Sequence, residues 1–200
     1  MWNTNGFKIK LHLIRHGKTY ANENRLYYGF SDIDISEKGK EDLILLKKEI
    51  KYPTGDFFIT SGLKRTIQTL EIIYGKKQFI INENLKEMNF GDFELKSYEQ
   101  LKENKDYIKW IENIEENEIP NGETKNQFEN RTLIGFSNIF KSALNNNFKD
   151  IVVICHGGVI SIFMENMFKN KYNFYEWLPS YGRGYTVTFD ENNEKYYEKI

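Results

Sequence analysis

Cysteine occurs once in this sequence, at Cys155, so no internal disulfide is available, which fits a reducing compartment. Excess charge is equally scarce. With 28 basic residues against 29 acidic ones the formal net charge is -1, which gives no reason to expect nucleic acid or an anionic membrane as partner. Long apolar runs are missing: the longest, such as residues 151–155, are far too short to span a bilayer. The stretch from Met1 to Phe7 is polar and offers no secretory h-region, so the expected address is the cytoplasm. Repeats and low-complexity tracts are absent too. Arginine is rare, with only Arg15, Arg25, Arg65, Arg131 and Arg183 among the 28 basic residues. Lysine is the general surface cation here, which makes each arginine a better than average candidate for a specific role against the ordinary background of salt bridges.

What is present is globular in character, with 40% hydrophobic and 16% aromatic residues in 200, enough for one domain over residues 1–200 with a sizeable core. Residues 8–14 read as a strand that ends at Arg15-His16-Gly17. Ser36 is a good N-cap for a helix over 36–50, with Leu43, Leu46 and Ile50 at helical spacing. A short strand over 56–60 precedes a helix over 63–74 with Ile67, Leu70 and Ile73 facing inward, and a third strand covers 78–81. Residues 127–144 read as one helix. The clearest buried strand, 150–155, runs into a helix over 157–168, and 185–189 with 195–200 form a late antiparallel pair. Strands alternating with helices predict an α/β fold: a mostly parallel sheet with helices on both faces. Residues 85–126 break the rhythm, and their charged, aromatic composition is read either as a solvated helical insertion or as a lid over the sheet edge.

Ligands of open α/β sheets bind beyond the carboxyl ends of the strands. The first strand delivers Arg15 and His16 there, the second delivers Thr60-Ser61-Gly62 with Arg65 one turn on, and the fourth delivers His156-Gly157-Gly158. Two histidines and two arginines thus converge on one rim. Such a set suits a phosphoryl group, because guanidinium forks match phosphate oxygens. Helix N-termini add backbone N–H groups, and Gly17 and Gly157 permit close backbone approach.

These residues also carry a family resemblance. The segment from Leu13 to Thr19 (LIRHGKT) with Asn22, the segment from Ser61 to Thr69 (SGLKRTIQT), Glu87 with Phe90-Gly91-Asp92-Phe93-Glu94, and Val153 to Ile160 (VICHGGVI) come in the order of the motifs of the histidine phosphatase superfamily, the phosphoglycerate-mutase-like fold. The resemblance implies a metal-independent phosphatase without cofactor, acting on small phosphomonoesters. It implies His16 as nucleophile, Glu87 as general acid and base, and Arg15, Arg65 and His156 as holders of the phosphoryl oxygens, with Asn22, Thr19 and Gly157 as further phosphate contacts. For Asn22 and Thr19 an ordinary loop-capping role stands beside that one. Within the family the softer cues, Phe90 to Glu94 without a following glycine and Ile119-Pro120-Asn121-Gly122-Glu123, resemble the α-ribazole phosphatases, so α-ribazole 5'-phosphate joins sugar phosphates as an expected substrate. Three departures stand out: Lys18 for an acidic or amide residue, Leu95 for a glycine, and Gly62 for a proline or small polar residue.

Rival readings are a metal-dependent phosphatase on Asp32-Ile33-Asp34, a phosphoglycerate mutase, and a phosphate-ester binding module without catalysis. The first finds no strand tip beneath its aspartates and no zinc-type cluster. Family mutases are longer, and a binding module would lack the nucleophile or the acid. His12 reads as structural, Cys155 as a small buried hydrophobe, and Arg131 as a helix-face salt bridge.

Overall fold

Alternation along the central strands decides which side chain faces which layer. In the computed structural model, which describes residues 6–200, β1 (Ile9–Arg15) sends Ile9, Leu11 and Leu13 into one core and Ile14 into the other. The strand β4 (Asp150–Cys155) divides in the same way, with Ile151, Val153 and Cys155 against Val152 and Ile154. A strand buried on both faces reads as a continuous apolar run, as β4 does from Ile151 to Cys155, whereas β1 carries Lys10 and His12 on the face of Ile14. Met1 to Asn5, part of the expected 1–200 domain and of the polar N-terminal stretch, lie outside the described residues.

Six strands form one sheet in the order β3-β2-β4-β1-β5-β6, with β2 (Phe57–Thr60), β3 (Ile80–Ile81), β5 (Gly184–Phe189) and β6 (Lys195–Lys199) completing it. The first four in that order are mutually parallel, and β5 and β6 are antiparallel, as the sequence suggests. The short helix α1 (Tyr20–Glu23) follows β1, and α2 (Glu37–Glu49) packs beside α3 (Lys64–Tyr74), whose Leu70 and Ile73 cover the smaller core. The opposite face is covered by α6 (Lys125–Asn146) and α7 (Gly157–Met167). Ser36 caps α2 through Gly39 N–H, and Thr124 and Gln127 form a capping box on α6. Among the described residues no helix is long and apolar enough to cross a membrane.

Two expectations need correction. The strand expected over 78–81 pairs only at Ile80 and Ile81, both exposed, because β3 is an edge strand. On α3, Ile67 is only half-buried, while Arg65, Thr66 and Thr69 are fully buried. The helix turns polar groups inward at its site end, and an apolar periodicity cannot register that.

A 3-10 turn at Glu83–Leu85 leads into residues 85–126, which contain a second at Gly91–Phe93, then α4 (Tyr98–Leu101) and α5 (Lys105–Glu112). Leu85, Phe93, Leu101, Tyr107, Trp110 and Ile119 are buried in the same core as α6 and α7. Each such side chain contributes roughly 1.5–3 kcal/mol by burial, so the segment is anchored and not merely solvated. Leu95 lies at φ 59, the left-handed region that favours glycine, which explains why this departure from the family residue is unusual. Gly62 lies at φ 86, a conformation that a proline at this position could not adopt.

Candidate active site

A cavity of about 240 Å³ opens at the carboxyl ends of β1 and β4, lined in part by Arg15, His16, Asn22, Arg65, Glu87 and Gly158. His156 stands behind His16, their ring centroids 5.1 Å apart. Both histidines are buried, His16 keeping 3% of its surface exposed and His156 none.

Each reactive group is fixed by a specific contact. His16 Nδ1 donates to the Gly17 carbonyl at 2.7 Å, which settles the tautomer and leaves the lone pair on Nε2. Burial pushes the His16 imidazole well below its ordinary pKa, and the Arg65 and Arg15 charges push the same way. The ring is therefore neutral at physiological pH. His156 is held by Ser61 Oγ at 2.8 Å from its Nε2, and burial, followed by Arg65 and His16, also lowers its pKa well below the ordinary value. Its Nδ1 is buried and has no partner.

The arginines show the same pattern of partial satisfaction. Arg15 donates from Nη1 to the Pro179 carbonyl at 2.8 Å, and its guanidinium lies 4.0 Å from the Tyr181 ring centroid. Arg65, fully buried, donates to the carbonyls of Ser31 and Gly29 at 2.8 and 2.6 Å. Among the described residues Arg65 forms no salt bridge to its helix neighbour Glu71 or to Asp56. Among the described residues neither arginine pairs with a carboxylate, and the Nε of each is buried without an acceptor. Burying a charge without a counter-charge is costly. A pocket lined by the half-buried Arg15, the buried Arg65 and a neutral imidazole suits an anion.

Glu87 accepts from Gly158 N–H at 2.9 Å and from Met88 N–H at 3.0 Å. Its backbone is held by Arg131, which donates to the carbonyls of Asn84, Lys86 and Glu87 while forming a two-point pair with Glu123 at 2.7 Å. Arg131 is thus a splint for the acid-bearing loop, more than the helix-face salt bridge expected of it. A Cβ at Gly158 would sit 2.4 Å from Glu87 Oε1, and one at Gly157 would sit 3.1 Å from the Arg15 guanidinium. Gly157 therefore makes room first for Leu178, whose Cδ1 would lie 2.5 Å from that Cβ, and then for Arg15; its expected role as a direct phosphate contact is a different use of the same space. Asn22 lines the pocket, yet its Oδ1 accepts from Thr19 N–H and from the Tyr28 hydroxyl. Thr19 is buried in the capping box of α1, so its side chain is committed there.

Glu94, noted in sequence only as part of a motif, accepts five hydrogen bonds: from the N–H groups of Gly29, Phe30, Ser31 and Phe90, and from the Ser31 hydroxyl. It staples the loop whose carbonyls orient Arg65. Glu94→Gln loses charge-assisted hydrogen bonds of ~1.5–3 kcal/mol each, and ~1.4 kcal/mol of misplacement at Arg65 is tenfold in affinity. Vanadate inhibition is expected to weaken about tenfold, an inhibition constant unchanged from the parent being the contrary result.

The remaining candidates lie elsewhere. Asp32 Oδ1 accepts from Lys64 N–H at the start of α3, and Asp34 accepts from Gln68. Both therefore serve loop anchoring, the role expected of a polar turn. Cys155 is fully buried, and burial raises its thiol pKa far above the ordinary range. His12 is bound by Thr186 Oγ1 at 2.9 Å and by Asp150 at 3.3 Å. Lys18 pairs with Asp42 at 3.1 Å in a separate cleft beyond Tyr181. Tyr28 and Tyr181, whose rings face Arg65 and Arg15, lie outside the four sequence motifs, although Tyr181 belongs to the aromatic stretch from Tyr172 to Tyr185 that could line a cleft.

All three histidines titrate lower in the folded chain than the ordinary 6.5, burial being the first cause of each. The unfolded chain then binds protons that the native state refuses. Stability is fully present above pH 6.5 and is lost as pH falls from there through the lowered native values. His156→Asn is expected to flatten that fall, measured as urea midpoints between about pH 7.5 and about pH 5.5; an unaltered slope would mean that His156 is not held neutral.

The family model of the histidine phosphatase superfamily (branch 1) matches residues 11–196. Phosphoserine phosphatase 1 of Hydrogenobacter thermophilus is 31% identical over 152 residues, 74% of this chain and 71% of the relative. The adenosylcobalamin/α-ribazole phosphatase of Escherichia coli K12 is 26% identical over 163 residues, 80% of this chain and 79% of that one. Among solved structures, the α-ribazole phosphatase of Shigella flexneri superposes with a TM-score of 0.79 at 24% identity, covering 90% of both chains. The phosphoglycerate mutase of Bacillus anthracis gives 0.73 at 20% identity, covering 98% and 94%. The two structural likenesses establish the fold.

Proposed function

This chain belongs to the histidine phosphatase superfamily, branch 1, and from that premise we propose that it hydrolyses small phosphomonoesters through a phosphohistidine on His16. The observation that carries the reading is the neutral, tautomer-fixed His16 beside two guanidiniums, Arg65 fully buried and Arg15 half-buried, without carboxylate partners among the described residues. His16 Nε2 attacks phosphorus in line, the P–O bond to the alcohol breaks, and Glu87 gives its proton to the departing oxygen. Arg15, Arg65 and His156 Nδ1–H hold the non-bridging oxygens, over which charge spreads in a loose transition state. The now anionic Glu87 takes a proton from water, whose oxygen attacks the phosphohistidine. Inorganic phosphate leaves, and both residues are restored. Asn22 lines the entrance, while Thr19 and Gly157 act through Asn22 and Arg15.

The same reading takes the chain as one domain with residues 85–126 inserted as a lid, of which Glu87 and Phe90 reach the pocket. Its address is the cytoplasm, supported by the single buried cysteine. The relatives named for α-ribazole support α-ribazole 5'-phosphate as a substrate, and those named for phosphoserine support a second reading. Because arginine supplies the positive charge, activity is expected to survive EDTA, with vanadate and phosphate inhibiting competitively. Loss on chelation and recovery with magnesium would replace this mechanism by a metal-dependent one.

A further inference from the structure

The pocket wall beyond the phosphoryl end consists of Leu26, Tyr27, Phe90, Phe174 and Leu178, drawn from three separate parts of the chain. Its polar atoms are already in use. Tyr27 O–H is engaged with the Tyr107 hydroxyl at 2.6 Å, so its ring offers hydrocarbon alone. Tyr28 O–H donates to Asn22 at 2.7 Å. The charged side chains lining the pocket are Arg15, Arg65 and Glu87, the three that the phosphoryl group and the proton transfer require. The Tyr27 and Phe90 rings pack at 5.5 Å, and Trp110 backs both at 5.9 and 6.2 Å, so this wall is stiff. Leu178 is 40% exposed at the cavity, a large apolar surface left for something to cover.

From this, and resting on the phosphatase reading above, we infer that the alcohol half of the substrate is uncharged and carries an aromatic or apolar ring that packs on Tyr27, Phe90, Phe174 and Leu178. Phosphorylated amino acids and hydroxy acids fit poorly for a reason of distance. Their carboxylate or ammonium sits within two bonds of the ester carbon and must therefore lie against this wall. There it loses water and finds no counter-charge that is free, which costs a charged group about ten- to a hundred-fold in equilibrium. An aromatic alcohol gains the same surface instead, and apolar pockets bind by such burial.

The test compares kcat/KM for benzyl phosphate, ethyl phosphate, O-phosphoserine and 3-phosphoglycerate, all primary alkyl esters with basic leaving groups. Benzyl phosphate is expected to lead the two charged esters at least ~tenfold and to exceed ethyl phosphate. Phe174→Lys, which supplies a cation, is expected to shift the ratio toward 3-phosphoglycerate. A parallel arm independent of turnover measures binding of benzylphosphonate against 3-phosphonopropionate by calorimetry, with the aromatic compound tighter. If O-phosphoserine or 3-phosphoglycerate equals or beats benzyl phosphate, or if 3-phosphonopropionate binds as well as benzylphosphonate, the inference is wrong while the phosphatase reading stands. If no ester turns over but benzylphosphonate binds more tightly, the catalytic reading fails and the assignment of the wall survives.

Discussion

His16→Ala is expected to abolish turnover, by on the order of 10⁴-fold or more, and with it a labelled phosphoprotein that the parent forms on brief mixing with labelled substrate. The reasoning starts from the ring. Its Nδ1 is spent on the Gly17 carbonyl and its pKa is pushed down by burial and two arginines, so Nε2 is unprotonated and aimed for attack without a separate base to prepare it. A phosphoramidate on nitrogen is stable to base and labile to acid, which distinguishes it chemically from an acyl phosphate. Alanine at this position removes the proposed nucleophilic nitrogen while leaving Arg15, Arg65 and His156 in place, so vanadate binding should persist when turnover is gone. A label that maps to Asp32 would restore the metal-dependent rival, although its carboxylate caps α3. A label on Cys155 would require a thiolate from a group that burial holds protonated.

The parts of this site legible in sequence are those that sit where a strand ends. Arg15, His16 and His156 are fixed by the register of β1 against β4, in which Arg15 lies opposite Cys155, and an apolar run followed by Arg-His-Gly or His-Gly-Gly announces that register directly. The late antiparallel pair follows from the same runs, whereas the strand order β3-β2-β4-β1-β5-β6 comes from pairings between distant segments that no run encodes. Less legible was whatever depends on loops meeting across the chain. Glu94 lies 63 to 65 positions from the backbone groups it gathers at Gly29 to Ser31, and no local pattern encodes that meeting. Arg131 looks like an ordinary helix-face arginine until its guanidinium is seen to collect three carbonyls of the Glu87 loop. The commitment of Thr19 to a cap, and of Gly157 to the space beside Arg15, likewise needs coordinates, because capping and ligand binding use the same residue types.

Glu87→Gln is expected to slow phosphorylation of His16 by ~100-fold to 10,000-fold with an alkyl phosphate, and far less with p-nitrophenyl phosphate. The difference comes from the leaving oxygen. An alkoxide cannot depart unprotonated near neutrality, whereas p-nitrophenolate leaves readily as an anion. Nearby carboxyls are poor substitutes in the structure: Glu83 is solvent-facing beside Lys86, and Asp92 accepts from Asn121 outside the pocket. Glu87 alone among the acids lines the cavity, with its carboxylate set by Gly158 N–H and its loop set by Arg131. Glutamine keeps the size and one acceptor oxygen, so the change removes the proton at the loss of one of the two N–H bonds from Gly158 and Met88, while the Arg131 contacts to the loop carbonyls remain. Single-turnover measurement is required, since Glu87 also serves the hydrolysis of the phosphohistidine and a steady-state rate would mix the two steps. The variant should therefore show a rapid burst of p-nitrophenol followed by slow turnover, as the phosphoenzyme accumulates. Equal slowing of the first step with both esters would make Glu87 a positioning residue, and the proton would then have to come from solvent.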